Sequence, residues 1–207
     1  MVEHSSPPSP GRGRPRSAQS QRAILESTRQ LLEERGFVDL TIEEVALRAG
    51  VGKATIYRRW PSKGTLVFES FAVDFLARQP LADTGSLRGD LLSALRAWIR
   101  TVKGTVTGRT LVGLIAEVQR DPELAEVWRE RFVVPVRAQH RILIERAIER
   151  GEVPPTADID VTLDLLFGAA YHRLLQSHLT LSDRFAQSVV DIIIGGLTPN
   201  PAQEANS

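Results

Sequence analysis

Residues 53–58 read Lys-Ala-Thr-Ile-Tyr-Arg, a run of donors and positive charge with no carboxylate in it. Those side chains suit a DNA major groove. Lys or Arg matches guanine edges, Ala and Thr meet thymine methyl groups, and Tyr and Arg reach phosphates. If the segment is helical, Ile56 and Trp60, four apart, face inward. Lys53, Ala54, Thr55, Tyr57 and Arg58 then point outward.

A second basic cluster, Arg12-Gly13-Arg14-Pro15-Arg16, looks like the core of an AT-hook. Such a flat arginine arm enters the narrow minor groove of A·T tracts, with Arg14 and Arg16 as the contacts. A plain solvated tail fits the same residues, because only three of the 26 basic residues are Lys.

The residues of catalysis do not assemble. His172 and His178 are six apart and share no helical face, and His140 lies on another element. Asp158, Asp160 and Asp164 stand more than a turn from the nearest histidine. No His-Glu-x-x-His site, Gly-x-Ser-x-Gly elbow or phosphate loop occurs. With no cysteine, disulfides, thiolate metal sites and a cysteine nucleophile are excluded. No catalytic residue, metal or cofactor is expected, and an enzyme is not the reading.

The elements that would position the basic cluster are legible around it. Thr41-Ile42-Glu43-Glu44 is a capping box: the Thr41 hydroxyl accepts the Glu44 N–H, and the Glu44 carboxylate returns to the Thr41 N–H. Ile42, Val45, Ala46 and Ala49 give the helix one buried face. Gly50 is placed for a left-handed cap, Val51 tucks the turn inward, and Pro61 ends the second helix. Two short helices joined by a glycine turn make a helix-turn-helix. A helical hairpin with a solvated basic face is the alternative. The cap, turn and proline stop in register favour DNA binding.

The rest of the chain is helical in period. Ile24, Thr28, Leu31, Leu32 and Arg35 recur three or four apart before Gly36, and Leu87, Leu91, Leu95, Trp98 and Val102 line another face. Helices are expected over 62–79, from 86, over 109–120, from Asp121-Pro122 to Arg150 with a kink at Pro135, from 158 to 177, and from 182 to Gly195-Gly196. Strand signals are nearly absent. The fold class is all-α with about nine helices. Residues 1–18 read as a disordered Arg/Pro-rich arm, 19–66 as the DNA-binding domain, 67–197 as a helical body and 198–207 as a disordered tail, with Pro80–Gly85 as a turn-rich linker.

Charge is divided along the chain. Residues 1–65 carry 11 Lys/Arg against 7 Asp/Glu, and the remainder 15 against 18. A basic head on an acidic body suits a DNA reader. No apolar run approaches the roughly 20 residues of a membrane span, and the N-terminus has no apolar leader core, so a cytoplasmic protein is expected.

Residues 19–66 closely resemble the DNA-binding domain of the tetracycline-repressor (TetR) family. The resemblance rests on Ala23-Ile24-Leu25, Gly36-Phe37, Thr41-Ile42-Glu43-Glu44-Val45-Ala46, Ala49-Gly50-Val51, Thr55-Ile56-Tyr57, Trp60-Pro61-Ser62-Lys63 and Leu66. Gly52 stands where the family often has serine, and Trp60 where it has phenylalanine. The resemblance implies that Thr41 and Lys63 clamp phosphates while Lys53 to Arg58 enter the major groove.

It also implies a homodimer on a palindromic operator, paired through the last two helices as a four-helix bundle. Phe167, Gly168, Leu174, Leu175, Val189 and Ile193 are the interface candidates. These helices are apolar on more than one face, which a monomer core would also use. The family holds a small-molecule effector among the middle helices. Candidate lining comes from Trp98, Trp128, Phe132, Gln139, His140, Phe167, Tyr171 and His172, although an aromatic stripe at helical spacing also serves packing. The implied function is a repressor released by a small-molecule inducer. A non-specific DNA binder is the third reading, and it would show steep salt dependence with little sequence preference.

Overall fold

A computed structural model describes residues 14–79 and 81–197; of the side chains of residues 14–16 and 74, only the backbone is described. Every element among the described residues is helical. The order is α1 (Arg14–Asp39), α2 (Ile42–Ala49), α3 (Lys53–Tyr57), α4 (Lys63–Ala77), α5 (Leu87–Val102), α6 (Val106–Val118), α7 (Pro122–Trp128), α8 (Val134–Glu149), α9 (Ile159–Gln176) and α10 (Asp183–Leu197). A π-helical turn over Arg129–Val133 joins α7 to α8. Counted as one rod, α7 and α8 bring the described helices to nine.

Local signals account for most boundaries. Gly36 (φ 79°) breaks α1 where its apolar period stops. Asp121 caps α7 through the N–H groups of Glu123 and Leu124, both at 3.1 Å, with Pro122 in the first turn. Gly151 (φ 73°) closes α8, its N–H donating to Ile148 O at 3.0 Å and that of Glu152 to Ala147 O at 2.9 Å. The stripe Leu87, Leu91, Leu95, Trp98 and Val102 is fully buried.

Three expectations change. Helix α1 begins at Arg14, inside the arm expected to be unstructured up to residue 18. Helix α10 passes through the exposed Gly195 and Gly196 to Leu197. At Pro135 the rod widens: Val134 N–H donates to Arg129 O, five residues back. Proline lacks an N–H and its ring clashes with the carbonyl four residues earlier, so one inserted residue makes room. Residues 1–13, Pro80 and 198–207, with part of the arginine arm and all of the expected C-terminal tail, lie outside the described residues.

The head is α1–α3, with Ile24, Leu31, Leu40, Val45, Ile56 and Trp60 in its core. It is seated on α4 and α6. Helix α5 is the spine of the body and packs against α6, α8, α9 and α10. Two glycines allow close approaches, Gly113 between body and head and Gly64 between α4 and α7. A Cβ on Gly113 of α6 would come within 2.7 Å of the Phe37 ring, and one on Gly64 of α4 within 2.6 Å of Leu124. The linker before α5 is pinned: the buried Asp90 carboxylate accepts from Thr84 N–H and Oγ1, each at 2.7 Å.

Candidate functional site

The reading helix is held by its turn. Gly50 takes the left-handed conformation (φ 66°, ψ 36°), its N–H donates to Leu47 O, and Val51 N–H donates to Ala46 O at 3.0 Å. Thr41 accepts the Glu44 N–H at 3.3 Å. The Glu44 carboxylate takes the Thr41 hydroxyl at 3.0 Å and Arg35 instead of the expected Thr41 N–H. Ile56 and Trp60 point into the core, leaving Lys53, Ala54, Tyr57 and Arg58 exposed and Thr55 half-buried.

The charges on this face are not equivalent. Lys53 Nζ bonds Glu43 at 2.8 Å, and the hydrogen bond holds the carboxyl below its ordinary range and the amine above its own. Among the described residues Arg58 makes no ion pair, so it is the uncompensated cation of the face. Arg59 and the Trp60 indole N–H both donate to Glu69, at 3.5 and 3.0 Å, and Gln21 of α1 donates to it at 3.1 Å. Glu69 thus ties the end of the reading helix to α1 and α4. Its only trace in the sequence is a carboxylate inside the apolar run Leu66–Phe71.

Lys63 is placed differently from a simple phosphate clamp. Its amine donates to the carbonyls of Phe37 and Val38 at 3.0 and 3.1 Å and sits 4.8 Å from the Phe37 ring centroid. It satisfies carbonyls left open where α1 breaks. An ammonium has three donors, so one is left for a phosphate. The arm residues Arg14 and Arg16 lie on the first turn of α1, beside a groove lined by Ser17, Ser20, Gln21, Thr55 and Arg58.

A cavity of about 390 Å³ opens in the body, walled by Phe75, Trp98, Ile115, Trp128, Phe132, Val136, Leu163 and Phe167. Of the residues expected there, Trp98, Trp128, Phe132, His140, Phe167 and Tyr171 are in place. Gln139 is not: its Nε2 donates to the backbone O of Gln79 at 3.0 Å. His172 is exposed, its ring 4.8 Å from that of His178. The aromatic wall is continuous, with Trp128 to Phe132 at 4.4 Å and Phe132 to Phe75 at 5.1 Å between centroids.

Few polar groups enter it. His140 donates from Nδ1 to Val136 O at 2.8 Å, and burial lowers its pKa, so the imidazole is neutral. Tyr171 packs 5.0 Å from Trp98, and dense surroundings push its phenol up to about 12. At the rim Arg137 bonds both Asp164 and Asp160 (2.9 Å to the latter), which holds the arginine cationic and lowers Asp160. The sequence pattern did not assign Gln79, Phe75, Arg137 or Asp164 to the lining: Phe75 and Gln79 come from α4 and the residues just after it, and Arg137 and Asp164 are charged residues beside the aromatic ones on α8 and α9.

The comparisons with known proteins agree with this geometry. Residues 24–69 match the model for bacterial regulatory proteins of the tetR family, and residues 81–193 the tetracyclin repressor-like C-terminal domain. The chain is 36% identical over 197 residues to the HTH-type transcriptional regulator YdeS of Bacillus subtilis (strain 168), covering 94% of this chain and 98% of that one. The chain belongs to the TetR family of transcriptional regulators. It is also 29% identical over 184 residues to the DNA-binding transcriptional repressor TetR of Mycobacteroides abscessus, covering 88% of this chain and 94% of that one. The crystal structure of the TetR family transcription regulator SCO0332 superposes with a TM-score of 0.75 at 35% identity, covering 87% of this chain and all of that one. It is a DNA-binding transcriptional regulator, and no described helix is long and apolar enough to cross a membrane.

In this TetR-family body the interface candidates divide. Gly168 and Leu175 lie on an exposed face of α9, with Val161, Leu165 and His172 at spacings of four and three. Phe167 walls the cavity, Leu174 and Val189 are half-buried against the core, and Ile193 is inside it. On α10 the large apolar residue left exposed is Ile192, at 75%.

Proposed function

We propose that this regulator is a homodimeric repressor of a palindromic operator, released when a small molecule enters the cavity of the body. The observation that carries the reading is helix α4. At its C-terminal end Phe75 and Gln79 form part of the cavity wall, and at its N-terminal end Lys63 and Gly64 are locked to the head and to α7. A ligand that shifts the aromatic wall therefore moves the element that orients the reading helix. Moving a two-state population from 1:99 to 99:1 takes about 5.5 kcal/mol of differential affinity, and operator must weaken ligand binding by the same factor.

The exposed apolar seam supports the dimer. Val161, Leu165, Gly168, His172 and Leu175 recur at an average of 3.5 residues, the period of two helices packed along their length. A two-fold pair of heads about 34–36 Å apart matches a palindrome one helical turn long. In this reading Lys53, Ala54, Thr55, Tyr57 and Arg58 face the major groove, Thr41 and Lys63 the phosphates, and Arg14 and Arg16 the flanking minor groove.

Selection of bound sequences from random DNA tests both parts. A palindromic enriched site with centres one turn apart is expected. Enrichment of a single half-site, or none with steep salt dependence, would refute specific dimeric binding.

A further inference from the structure

One polar atom in the cavity stands out. Gln79 is 3% exposed, and its Oε1 is the one buried side-chain atom without a hydrogen-bond partner among the described residues. Its orientation is set by its neighbours. The single proton of the Thr101 hydroxyl goes to Ala97 O at 2.9 Å, so Thr101 can only accept from Gln79, and Nε2 lies there at 3.1 Å. That leaves Oε1 as the open acceptor. The backbone of the residue is held as well, its O accepting from Gln139 of α8. An unmade hydrogen bond at a buried group is costly, and native interiors rarely keep one.

The second unspent group is close by. The Tyr171 hydroxyl, whose ring packs 5.0 Å from that of Trp98, donates to no partner among the described residues, so the phenol proton remains to be given. Trp98 and Thr101, which lie beside these two groups, are three residues apart on α5, about 4.5 Å along the helix. Everything else around them is aromatic or aliphatic, apart from the neutral His140 and the Arg137–Asp164 pair at the rim. No unpaired charge is available to compensate a buried ionic ligand.

We infer that the cavity selects a neutral, mainly aromatic molecule of two or three rings that donates a hydrogen bond to Gln79 Oε1 and accepts one from the Tyr171 hydroxyl. A volume of about 390 Å³ is at the small end of ligand sites and holds roughly a dozen waters, which fixes the size class. An anion is disfavoured by Oε1 inside, and the cationic Arg137 at the mouth is already paired with Asp164 and Asp160. This rests on the cavity being an effector site.

The test uses the full chain and three probes: 4-phenylphenol, 4-methylbiphenyl with a methyl in place of the hydroxyl, and biphenyl-4-carboxylate. Binding is followed by quenching of tryptophan fluorescence and by calorimetry. The expected result is a preference of about tenfold or more for the phenol over the other two, since one good hydrogen bond to a buried acceptor is worth about that much. In Gln79→Met the phenol's advantage over 4-methylbiphenyl should fall to about threefold or less, while Tyr171→Phe tests the other bond if that variant does not fold. Equal affinity for phenol and methylbiphenyl in the unaltered protein overturns the role of Gln79. Tightest binding of the carboxylate overturns neutrality, and no binding of any probe overturns the ligand class. A phenol preference that depends on Gln79, without release of operator DNA, supports this inference and overturns the effector reading it rests on.

Discussion

Gly113→Ala puts the seat of the head to the test. At most helical positions this change gains about 1 kcal/mol, because glycine has the larger backbone entropy to lose. Here the new Cβ would stand 2.7 Å from Phe37 Cγ and 2.8 Å from both Cβ and Cδ1. These atoms lie at the root of the side chain, so the ring cannot turn away without moving its backbone. That backbone carries the carbonyl that accepts from Lys63. Overpacking of this kind costs about 1–3 kcal/mol, and the rigid root puts it toward the upper end. The net expectation is a loss of about 1–2 kcal/mol. For a chain of this size that lowers Tm by about 2–8 °C, at roughly 2–4 °C per kcal/mol. Thermal melts and urea midpoints of Gly113→Ala, Phe37→Leu and the double variant measure it. The double variant should recover about 1 kcal/mol relative to additivity. A rise in Tm for Gly113→Ala, or strict additivity, would show that this contact does not hold head to body.

Three further outcomes are expected. Lys63→Met removes two charge-assisted bonds to carbonyls and should cost about 1–2 kcal/mol in urea unfolding while weakening binding to all DNA sequences alike and lowering the salt slope by about one; Thr55→Ala should instead alter sequence preference, and uniform loss from both would overturn the contact assignment. Stability should depend on pH through two buried groups. Tyr171 has a raised folded pKa near 12 against 10.0, so its neutral phenol stabilises fully below pH 10, and about 2–3 kcal/mol is lost as pH rises to 12; Tyr171→Phe should flatten that limb of a urea-midpoint profile. His140 has a lowered folded pKa, so its contribution is present above about 6.5 and lost as pH falls, and His140→Phe should flatten the acid side between pH 7 and 5. Leu165→Glu, at a residue 56% exposed in the single chain, should leave a folded monomer by sedimentation with operator affinity reduced by about a hundredfold or more; a dimer of unchanged affinity would move the interface elsewhere.

Short-range chemistry was legible from the residues alone. The Thr41 cap, the left-handed Gly50, the breaks at Gly36 and Gly151, the Asp121-Pro122 start and the buried stripe from Leu87 to Val102 each depend on neighbours within one or two turns, where spacing and residue type determine the outcome. The same holds for the outward set Lys53, Ala54, Tyr57 and Arg58, because a five-residue helix with Ile56 inside has one way to face.

What needed the tertiary structure was every choice between faces of a helix that is apolar on more than one side. Helix α9 could bury Phe167 or Leu165; packing on α5 and α8 turned Phe167 to the cavity and left Leu165 in the exposed seam. On α10 the difference between Ile192 outside and Ile193 inside is one residue, or about 100° of rotation. The family resemblance implies a phosphate contact for Lys63, and only the break of α1 beside it supplies the carbonyls that hold it. The helix-turn-helix was settled by bonds between residues a few positions apart. The acceptor of Gln79, which faces groups on α5 and α9 far along the chain, existed as a feature only once those helices met.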